Sequence, residues 1–213
     1  MRSLIKEKLH SKAMKEAARH RLRANQIKVI RSEIEKNSNM SHRSILITTP
    51  DHSLSDSFVS LDLAKSYADQ GKNTILIDGN FSGPVLHKWL DEKITFGLTN
   101  ALHRGNVARY VHPTKIKNLS FLPLGTSSVN QIDSWRMENL NLLKQQLRSI
   151  SDVTVIESPS YLTYLEIQLL AEVCDDVIVV VKQHRDKKSR IRQLKKDMEA
   201  AGIEITGMVY QPR

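Results

Sequence analysis

One stretch of the chain, residues 45–64, constrains the possible folds more than any other. Its sequence is ILITTPDHSLSDSFVSLDLA. A short apolar run ends at Thr48-Thr-Pro50, and apolar residues then recur at helical spacing at Leu54, Phe58 and Leu61. The pattern predicts a buried strand, a turn and an amphipathic helix, which is the shape of a phosphate-binding unit.

The same stretch lacks the residues that bind phosphate. A loop of the form GxxxxGK[ST] needs glycines whose backbone wraps around the phosphates and a lysine that neutralises them. No glycine and no lysine lies between Pro50 and Ser60. The predicted unit therefore keeps the strand, turn and helix but lacks the glycines and the lysine that bind phosphate.

Strand and helix patterns alternate along the rest of the chain. We predict further strands at 74–77, 119–124, 153–156, 177–181 and 205–209, separated by helices whose apolar stripes include Ile150 and Leu165. Glycines and a proline in 78–84 predict a loop at the carboxyl end of the second strand, the edge where parallel sheets bind ligands. Short helices are expected at 85–90 and 96–103. The fold class is α/β, a mostly parallel sheet with helices on both faces and right-handed crossovers.

Charge divides the chain unevenly. Of its 213 residues, the first 31 carry ten Lys or Arg against two Glu, while the formal charge of the whole chain is +9. We predict a basic helical N-terminal extension over 1–36, a polar linker over 37–43 and one α/β domain over 44–213. A basic segment of this kind attracts an anionic membrane surface, nucleic acid or an acidic protein, and the sequence leaves these partners open.

Composition excludes several classes of protein. The single cysteine, Cys174, allows no intramolecular disulfide and is expected to be a buried apolar residue. No apolar run approaches the roughly 20 residues that span a bilayer, and the start is too charged for a signal peptide, so we expect a cytoplasmic protein. Histidines are scattered without zinc-ligand spacing. The basic run 182–196 is expected to be a solvated helix face that can extend a docking surface.

Four motifs in order carry a resemblance to a known family. They are ITTP at 47–50, LIDGNFSGP at 76–84, LSFLPLG at 119–125 and VIESP at 155–159. The chain from about residue 25 onward resembles the bacterial tyrosine kinases of capsule and exopolysaccharide production, relatives of the MinD/ParA group of deviant Walker ATPases. The resemblance implies a P-loop NTPase-like fold.

The resemblance also assigns positions to the family's functional residues. The phosphate-loop glycines fall on Ser53 and Ser55, the lysine on Asp56 and the magnesium-binding hydroxyl on Ser57, with Phe58 closing the degenerate loop. The family's two aspartates of the next motif fall on Asp78 and Asn80, and its Walker B aspartate falls on Glu157. If Mg²⁺ binds, the resemblance implies Ser57, Asp78 and Glu157 as its site.

These substitutions affect nucleotide binding and chemistry together. An anion in place of the lysine turns attraction to a triphosphate into repulsion, and Asn80 cannot act as a carboxylate base. Ser53-x-x-Asp56 instead matches a helix-capping signature. We hypothesise that Asp56 serves as an internal anion where the family holds phosphate.

Two further departures concern assembly. The family's subunit-contact segment ExxRxxR falls on Asn25, Lys28 and Arg31, so its acidic member is missing. The family's tyrosine-rich tail is represented by Tyr210 alone. We therefore do not expect ring assembly like that of the kinases.

Three functions remain open from the sequence. The first is a non-catalytic homologue with no cofactor, an adaptor or regulator that binds a membrane-embedded polysaccharide co-polymerase or an active kinase paralogue. The second is a divergent Mg-ATP-dependent tyrosine kinase or ATPase. The third is a membrane-binding or nucleic-acid-binding protein of the ParA/MinD sort, acting through the basic residues 1–31.

Overall fold

The computed structural model describes residues 24–36, 41–51, 58–84, 86, 95–125 and 135–211. In chain order its elements are α1 (24–36), β1 (Arg43–Thr49), α2 (Phe58–Ala68), β2 (Thr74–Asp78), α3 (Leu98–Arg104), a 3-10 helix (Val107–Tyr110), β3 (His112–Pro113), β4 (Leu119–Leu122), α4 (Met137–Ile150), β5 (Val153–Ser160), α5 (Leu165–Val173), β6 (Asp176–Lys182), α6 (Lys188–Ala200) and β7 (Ile205–Gln211).

The described strands form one seven-stranded sheet in the order β3-β4-β2-β5-β1-β6-β7. Every neighbouring pair is parallel except β3 with β4, which is antiparallel and only two residues long on the β3 side. The predicted mostly parallel α/β fold is confirmed. The sequence analysis missed β3, because a two-residue strand has no periodicity to detect.

Alternate residues of the central strands enter two separate cores. Leu46, Ile77 and Ile156 pack on one face with α4, α5 and α6, whereas Ile47, Leu76 and Val155 pack on the other with α1 and α2. This follows from the two-residue period of a strand. It also explains why β6 consists of almost uninterrupted valine and isoleucine, since both of its faces are buried.

Helix α1 packs directly on the sheet. Ile27, Ile30 and Ile34 lie one turn apart and are buried in the core shared with α2. Gly207 of β7 lies beneath Ile30, where an added Cβ would stand 3.5 Å from Ile30 Cγ1. Helix α1 covers residues 24–36 of the predicted N-terminal extension, and residues 1–23 lie outside the described part.

Several details differ from the sequence predictions. Strand β5 continues through Pro159 to Ser160, because a register shift lets Thr49 pair with Ser160 after Ile47 pairs with Glu157. Leu165 is 65% exposed and Ile150 is 40% exposed, since each lies at a helix end that extends past the neighbouring core. The helix predicted at 85–90 falls outside the described residues apart from Leu86, which is buried.

Cys174 is partly exposed, which corrects the expectation of a buried residue. Desolvation nevertheless raises the pKa of its thiol to about 12, so the thiol stays protonated at neutral pH. Within the described residues, no helix combines the length and the apolar character needed to cross a membrane.

Candidate functional site

Three of the predicted site residues meet at the carboxyl ends of two neighbouring strands. Asp78 is the last residue of β2 and pairs in register with Glu157 of β5. Asn80 follows two residues after Asp78. All three are at most 1% exposed. The sheet edge that the sequence predicted as the ligand-binding edge is therefore lined by buried polar side chains.

Glu157 is held by the helix that follows β1. The hydroxyl of Ser60, in the first turns of the described part of α2, donates a hydrogen bond to Glu157 Oε2. Ser60 and Glu157 are both fully buried. Hydrogen bonds to a buried carboxylate are among the stronger ones in proteins, because the charge is not screened by water. The contact joins α2 to the centre of the sheet.

A tight backbone approach brings the loop after β2 against β5. The Gly79 N–H donates to the Glu157 carbonyl oxygen at 2.8 Å. A Cβ built on Gly79 would stand 2.8 Å from that same oxygen and 3.3 Å from Ile156 Cγ2. Only glycine fits without displacing a backbone group. The loop position of Asn80 depends on this contact.

Asn80 is held in place by its neighbours in the loop. Its backbone N–H donates to Asp78 Oδ1 at 3.1 Å, and its side-chain oxygen accepts from the Ser82 hydroxyl at 2.9 Å. Phe81 packs edge-on against Tyr164 and Trp135, with ring centroids 4.9 and 5.7 Å apart. The aromatic contacts anchor the loop on the α5 side of the sheet.

The end of β1 is fastened to the end of β5. The Thr48 hydroxyl donates to the Pro159 carbonyl at 2.8 Å, and the Ser158 hydroxyl donates to the Ile47 carbonyl at 3.1 Å. Beyond the strand, Asp51 Oδ2 lies 3.1 Å from Arg190 Nε of α6. The segment that enters the degenerate loop is thus connected to β5 and to α6.

The remaining predicted site residues lie elsewhere or outside the described part. Phe58 is partly buried and begins the described part of α2. Ser53, Ser55, Asp56 and Ser57 fall outside the described residues, so their predicted roles stay predictions. Sequence reasoning missed Ser60. A single serine inside an amphipathic helix carries no signal, because its partner Glu157 lies 97 residues away.

A second polar cluster lies at the opposite, amino-terminal edge of the sheet. Arg43 Nη1 is 2.9 Å from Asp176 Oδ2, and Lys144 Nζ is 2.7 Å from Asp175 Oδ1. Ser44 donates to Asp175 through both its N–H and its hydroxyl, at 2.9 and 2.8 Å. These pairs fasten α4 and the start of β6 to β1.

Burial sets the protonation of this cluster. Desolvation raises the pKa of Asp176 despite the Arg43 guanidinium beside it. Desolvation also acts to raise the pKa of Asp175, but hydrogen bonds from Lys144 and Ser44 outweigh it and hold the pKa below its usual range. His42 is 1% exposed, and desolvation lowers its pKa to about 4. The described contacts of this cluster lie at the amino edge of the sheet, where they hold α4, β1 and β6 together.

The carboxyl edge does not fit a magnesium nucleotide in the manner of a phosphate-binding loop. Asp78 and Glu157 are oxygen ligands of the type that Mg²⁺ prefers. The described residues contain no group of three or more His, Cys, Asp or Glu that can hold a metal ion. Residues 51–59 supply no glycine, lysine or arginine for the phosphates. This segment therefore lacks the residues that hold a triphosphate in a phosphate-binding loop.

The fold and the position of the site define a P-loop NTPase-like domain of the MinD type. No protein-family model matches the chain. It is 26% identical over 182 residues to the putative tyrosine-protein kinase CapB of Staphylococcus aureus, covering 84% of this chain and 80% of CapB. It is 24% identical over 190 residues to the tyrosine-protein kinase YwqD of Bacillus subtilis, covering 88% and 80%. The chain is thus similar in sequence to proteins named as bacterial tyrosine kinases.

Other relatives are much longer than the chain. The putative tyrosine-protein kinase EpsB of Ralstonia nicotianae is 25% identical over 167 residues, but these span 78% of this chain and only 22% of EpsB. Among solved structures, the chimerical protein CapA2B2 superposes with a TM-score of 0.78 at 24% identity, covering 89% of this chain and 84% of that one. MinD complexed with Mg-ADP from Pyrococcus horikoshii superposes at 0.66 and 17% identity, covering 79% and 70%. These structural likenesses show the fold.

Proposed function

We propose that this chain is a non-catalytic member of the bacterial tyrosine kinase family, acting as an adaptor or regulator in capsule or exopolysaccharide production. The observation that carries the proposal is the state of Glu157. This residue stands where the family has its Walker B aspartate, and its carboxylate accepts a hydrogen bond from Ser60 within the core. The Ser60 hydroxyl thus occupies a carboxylate oxygen that would point toward the ligand in a catalytic site.

Asn80 supports the same conclusion. It stands at the position of the acid that the family uses in catalysis, and an amide neither accepts a proton as a base nor adds charge to a metal site. In this chain the amide oxygen accepts from Ser82 and the backbone N–H donates to Asp78. Asn80 therefore organises the loop.

Electrostatics oppose nucleotide binding at this edge. Asp78 and Glu157 already place two carboxyl groups side by side, and Asp56 adds a third acidic residue in the phosphate-loop segment. At an effective dielectric constant of about 20, one unit-charge contact near 4 Å is worth roughly 4 kcal/mol. Replacing the attractive contact of the lysine with the repulsive contact of Asp56 therefore disfavours triphosphate binding by more than the energy of one such contact.

The proposed partners are proteins. The family resemblance points to a membrane-embedded polysaccharide co-polymerase or an active kinase paralogue.

A second candidate function is a divergent tyrosine kinase or ATPase. The observation in its favour is the pairing of Asp78 with Glu157 at the carboxyl edge, the position that a metal site in this fold requires. Ser57 would complete the set of oxygen ligands. In this case the nucleotide is held without the phosphate-loop lysine.

Titration calorimetry with Mg-ATP and Mg-ADP separates the two functions. The wild-type chain is compared with a restored variant that carries Ser53→Gly, Ser55→Gly, Asp56→Lys and Asn80→Asp. The adaptor proposal expects no binding to the wild type up to millimolar nucleotide and measurable binding to the restored variant. Micromolar binding to the wild type would overturn it.

Transfer of radiolabelled phosphate from ATP provides the second readout. The wild type, the restored variant and an active family member are incubated with a tyrosine-containing substrate. If the adaptor proposal is right, the active family member labels the substrate and the wild type does not. The restored variant is allowed to label it as well. Label transferred by the wild type, and abolished by Asp78→Asn, would establish the kinase function instead.

A further inference from the structure

The most strongly charged described segment lies on α6 and the loop before it. Residues 182–196 contain eight of the chain's 32 Lys and Arg against one acidic residue, Asp186, a formal charge of +7. The segment is separate in sequence from the basic residues at the start of the chain, because it begins at the end of β6. We call it the α6 basic surface. Its basic members are Lys182, Arg185, Lys187, Lys188, Arg190, Arg192, Lys195 and Lys196.

Most of these charges are not used to hold the fold together. Arg190 pairs with Asp51, and Lys195 lies 3.6 Å from Glu199. Among the residues that the structure describes, five others form no ion pair and are exposed. These five are Arg185, Lys187, Lys188, Arg192 and Lys196.

The positions of the charges oppose the stability of the helix. The first turn of α6 contains no acidic residue, and Lys187 occupies its N-cap position without a capping side-chain hydrogen bond. Cations at the amino end of a helix are unfavourable, because the helix dipole is positive there. The acidic residues Asp197 and Glu199 lie at the opposite end, where they are also unfavourable. This arrangement is the reverse of the one that stabilises a helix.

The helix presents its charges to the outside on a rigid support. Leu194 and Met198 are fully buried in the core against the sheet. The large hydrophobic residues that are exposed in the described chain include none between 182 and 204. Any attraction to this surface is therefore electrostatic, with no apolar side chain available for insertion.

We propose that the α6 basic surface binds an anionic lipid membrane. Five of its eight basic residues are lysines, whose compact charges on flexible stems suit a fluid array of anionic headgroups. The segment has no Phe, Tyr or Trp on which a nucleic-acid base can stack. The side-chain amide of Gln193, which lies among the exposed charges, donates to Asp197 Oδ1 at 2.6 Å. The membrane surface therefore fits these residues better than nucleic acid does.

Binding in this way would orient the whole domain. The amino end of α6 lies at the carboxyl edge of the sheet, because Arg190 contacts Asp51 just after β1. The edge that carries Asp78 and Glu157 then faces the membrane. The inference does not depend on whether the chain is catalytic, so it holds or fails separately from the adaptor proposal.

Vesicle co-sedimentation of the full chain tests the proposal. The probes are phosphatidylcholine vesicles with and without about 30% phosphatidylserine, since each basic residue near an anionic surface strengthens partitioning about fivefold. The test variant is Lys187→Gln/Lys188→Gln/Arg192→Gln. The matched control is Lys72→Gln/Lys115→Gln/Lys117→Gln, which removes the same charge from exposed residues near the opposite edge.

The two variants give opposite expectations. The α6 variant is expected to lose about 100-fold in partitioning to anionic vesicles, and the control to lose less than about fivefold. Binding is expected to weaken with added salt and to be absent from neutral vesicles. Equal losses in both variants, no wild-type binding, or binding to duplex DNA without binding to vesicles would each overturn the proposal.

Thermal unfolding of the same variants shows whether the α6 variant is folded. Removing cations from the amino end of α6 is expected to leave the midpoint unchanged or raise it. If the midpoint falls, the single substitution Lys188→Gln is tested by co-sedimentation, with an expected loss of about fivefold. No loss in that folded variant would contradict the proposal.

Discussion

The Ser60 hydroxyl donates a hydrogen bond to the Glu157 carboxylate, and both side chains are fully buried between α2 and the sheet. The contact links two elements that are separated by 97 residues in the chain. Glu157 is also the register neighbour of Asp78 and of Ile47, so three strands and one helix meet at this residue. Glu157, which the family resemblance assigns to metal binding, is thus packed between α2 and the sheet.

Ser60→Ala tests the strength of this link. Removing a donor to a buried carboxylate is expected to lower the free energy of unfolding by about 1–3 kcal/mol. Urea unfolding at neutral pH provides the measurement. Ser189→Ala on the exposed side of α6 is the control and is expected to change stability by less than about 0.5 kcal/mol. Similar small effects from both substitutions would show that the Ser60 contact contributes nothing.

Gly79→Ala tests the close approach of the loop to β5. The new Cβ would stand 2.8 Å from the Glu157 carbonyl oxygen, a backbone atom that cannot rotate away. We expect a loss of about 1–3 kcal/mol in unfolding free energy. Gly207→Ala is the matched control, because its Cβ would make ordinary contact with Ile30 at 3.5 Å. If the Gly79→Ala protein is as stable as the control, the loop can shift away from β5 without cost, and the close approach does not require glycine.

Acid should destabilise the protein through His42. Desolvation lowers its pKa to about 4 in the fold, while the Asp175 carboxylate opposes that shift and the nearby Arg148 and Lys144 reinforce it. The unfolded chain, with an ordinary histidine pKa near 6.5, binds the proton first as the pH falls. The stabilising contribution of neutral His42 is therefore complete above about pH 6.5 and is lost toward pH 4.

The expected size follows from the two pKa values. Between pH 7 and pH 5, His42 accounts for a loss of about 2 kcal/mol in unfolding free energy. Urea unfolding at both pH values measures the loss. His42→Gln should remove that part of the pH dependence, and His103→Gln, at an exposed position, should not. The His42 explanation fails if both variants keep the wild-type difference between the two pH values.

Arg31 should act within its own chain. Its Nη1 donates to the Ser66 hydroxyl at 2.6 Å and to the Ser66 carbonyl at 3.1 Å, which fastens α1 to α2. We expect Arg31→Ala to lower the unfolding free energy by about 1–2 kcal/mol without changing the oligomeric state. Lys28→Ala, exposed on the same helix, is the control. Light scattering that detects dissociation after Arg31→Ala, at unchanged stability, would instead assign Arg31 to a subunit contact.

The two carboxyl positions were predictable from motif order, whereas their environment was not. Asp78 and Glu157 each follow an apolar strand, and parallel strands bring such residues to one edge. Ser60 was not predictable, since hydrogen bonding between distant residues leaves no periodic trace. Leu165 illustrates the opposite error, because its helical spacing suggested a core position while the structure exposes 65% of it.

By itself the sequence determined the order of strands and helices, the burial of β6 on both faces and the absence of glycine and lysine from 51–59. These properties are local, since they depend on side-chain period and residue type within a few turns of chain. Only the tertiary structure decided that Glu157 bonds to Ser60, that Arg31 bonds to Ser66 and that Arg190 bonds to Asp51. Each of these contacts joins residues from different elements, and their geometry exists only after the sheet has aligned its strands and both helical layers have packed on it.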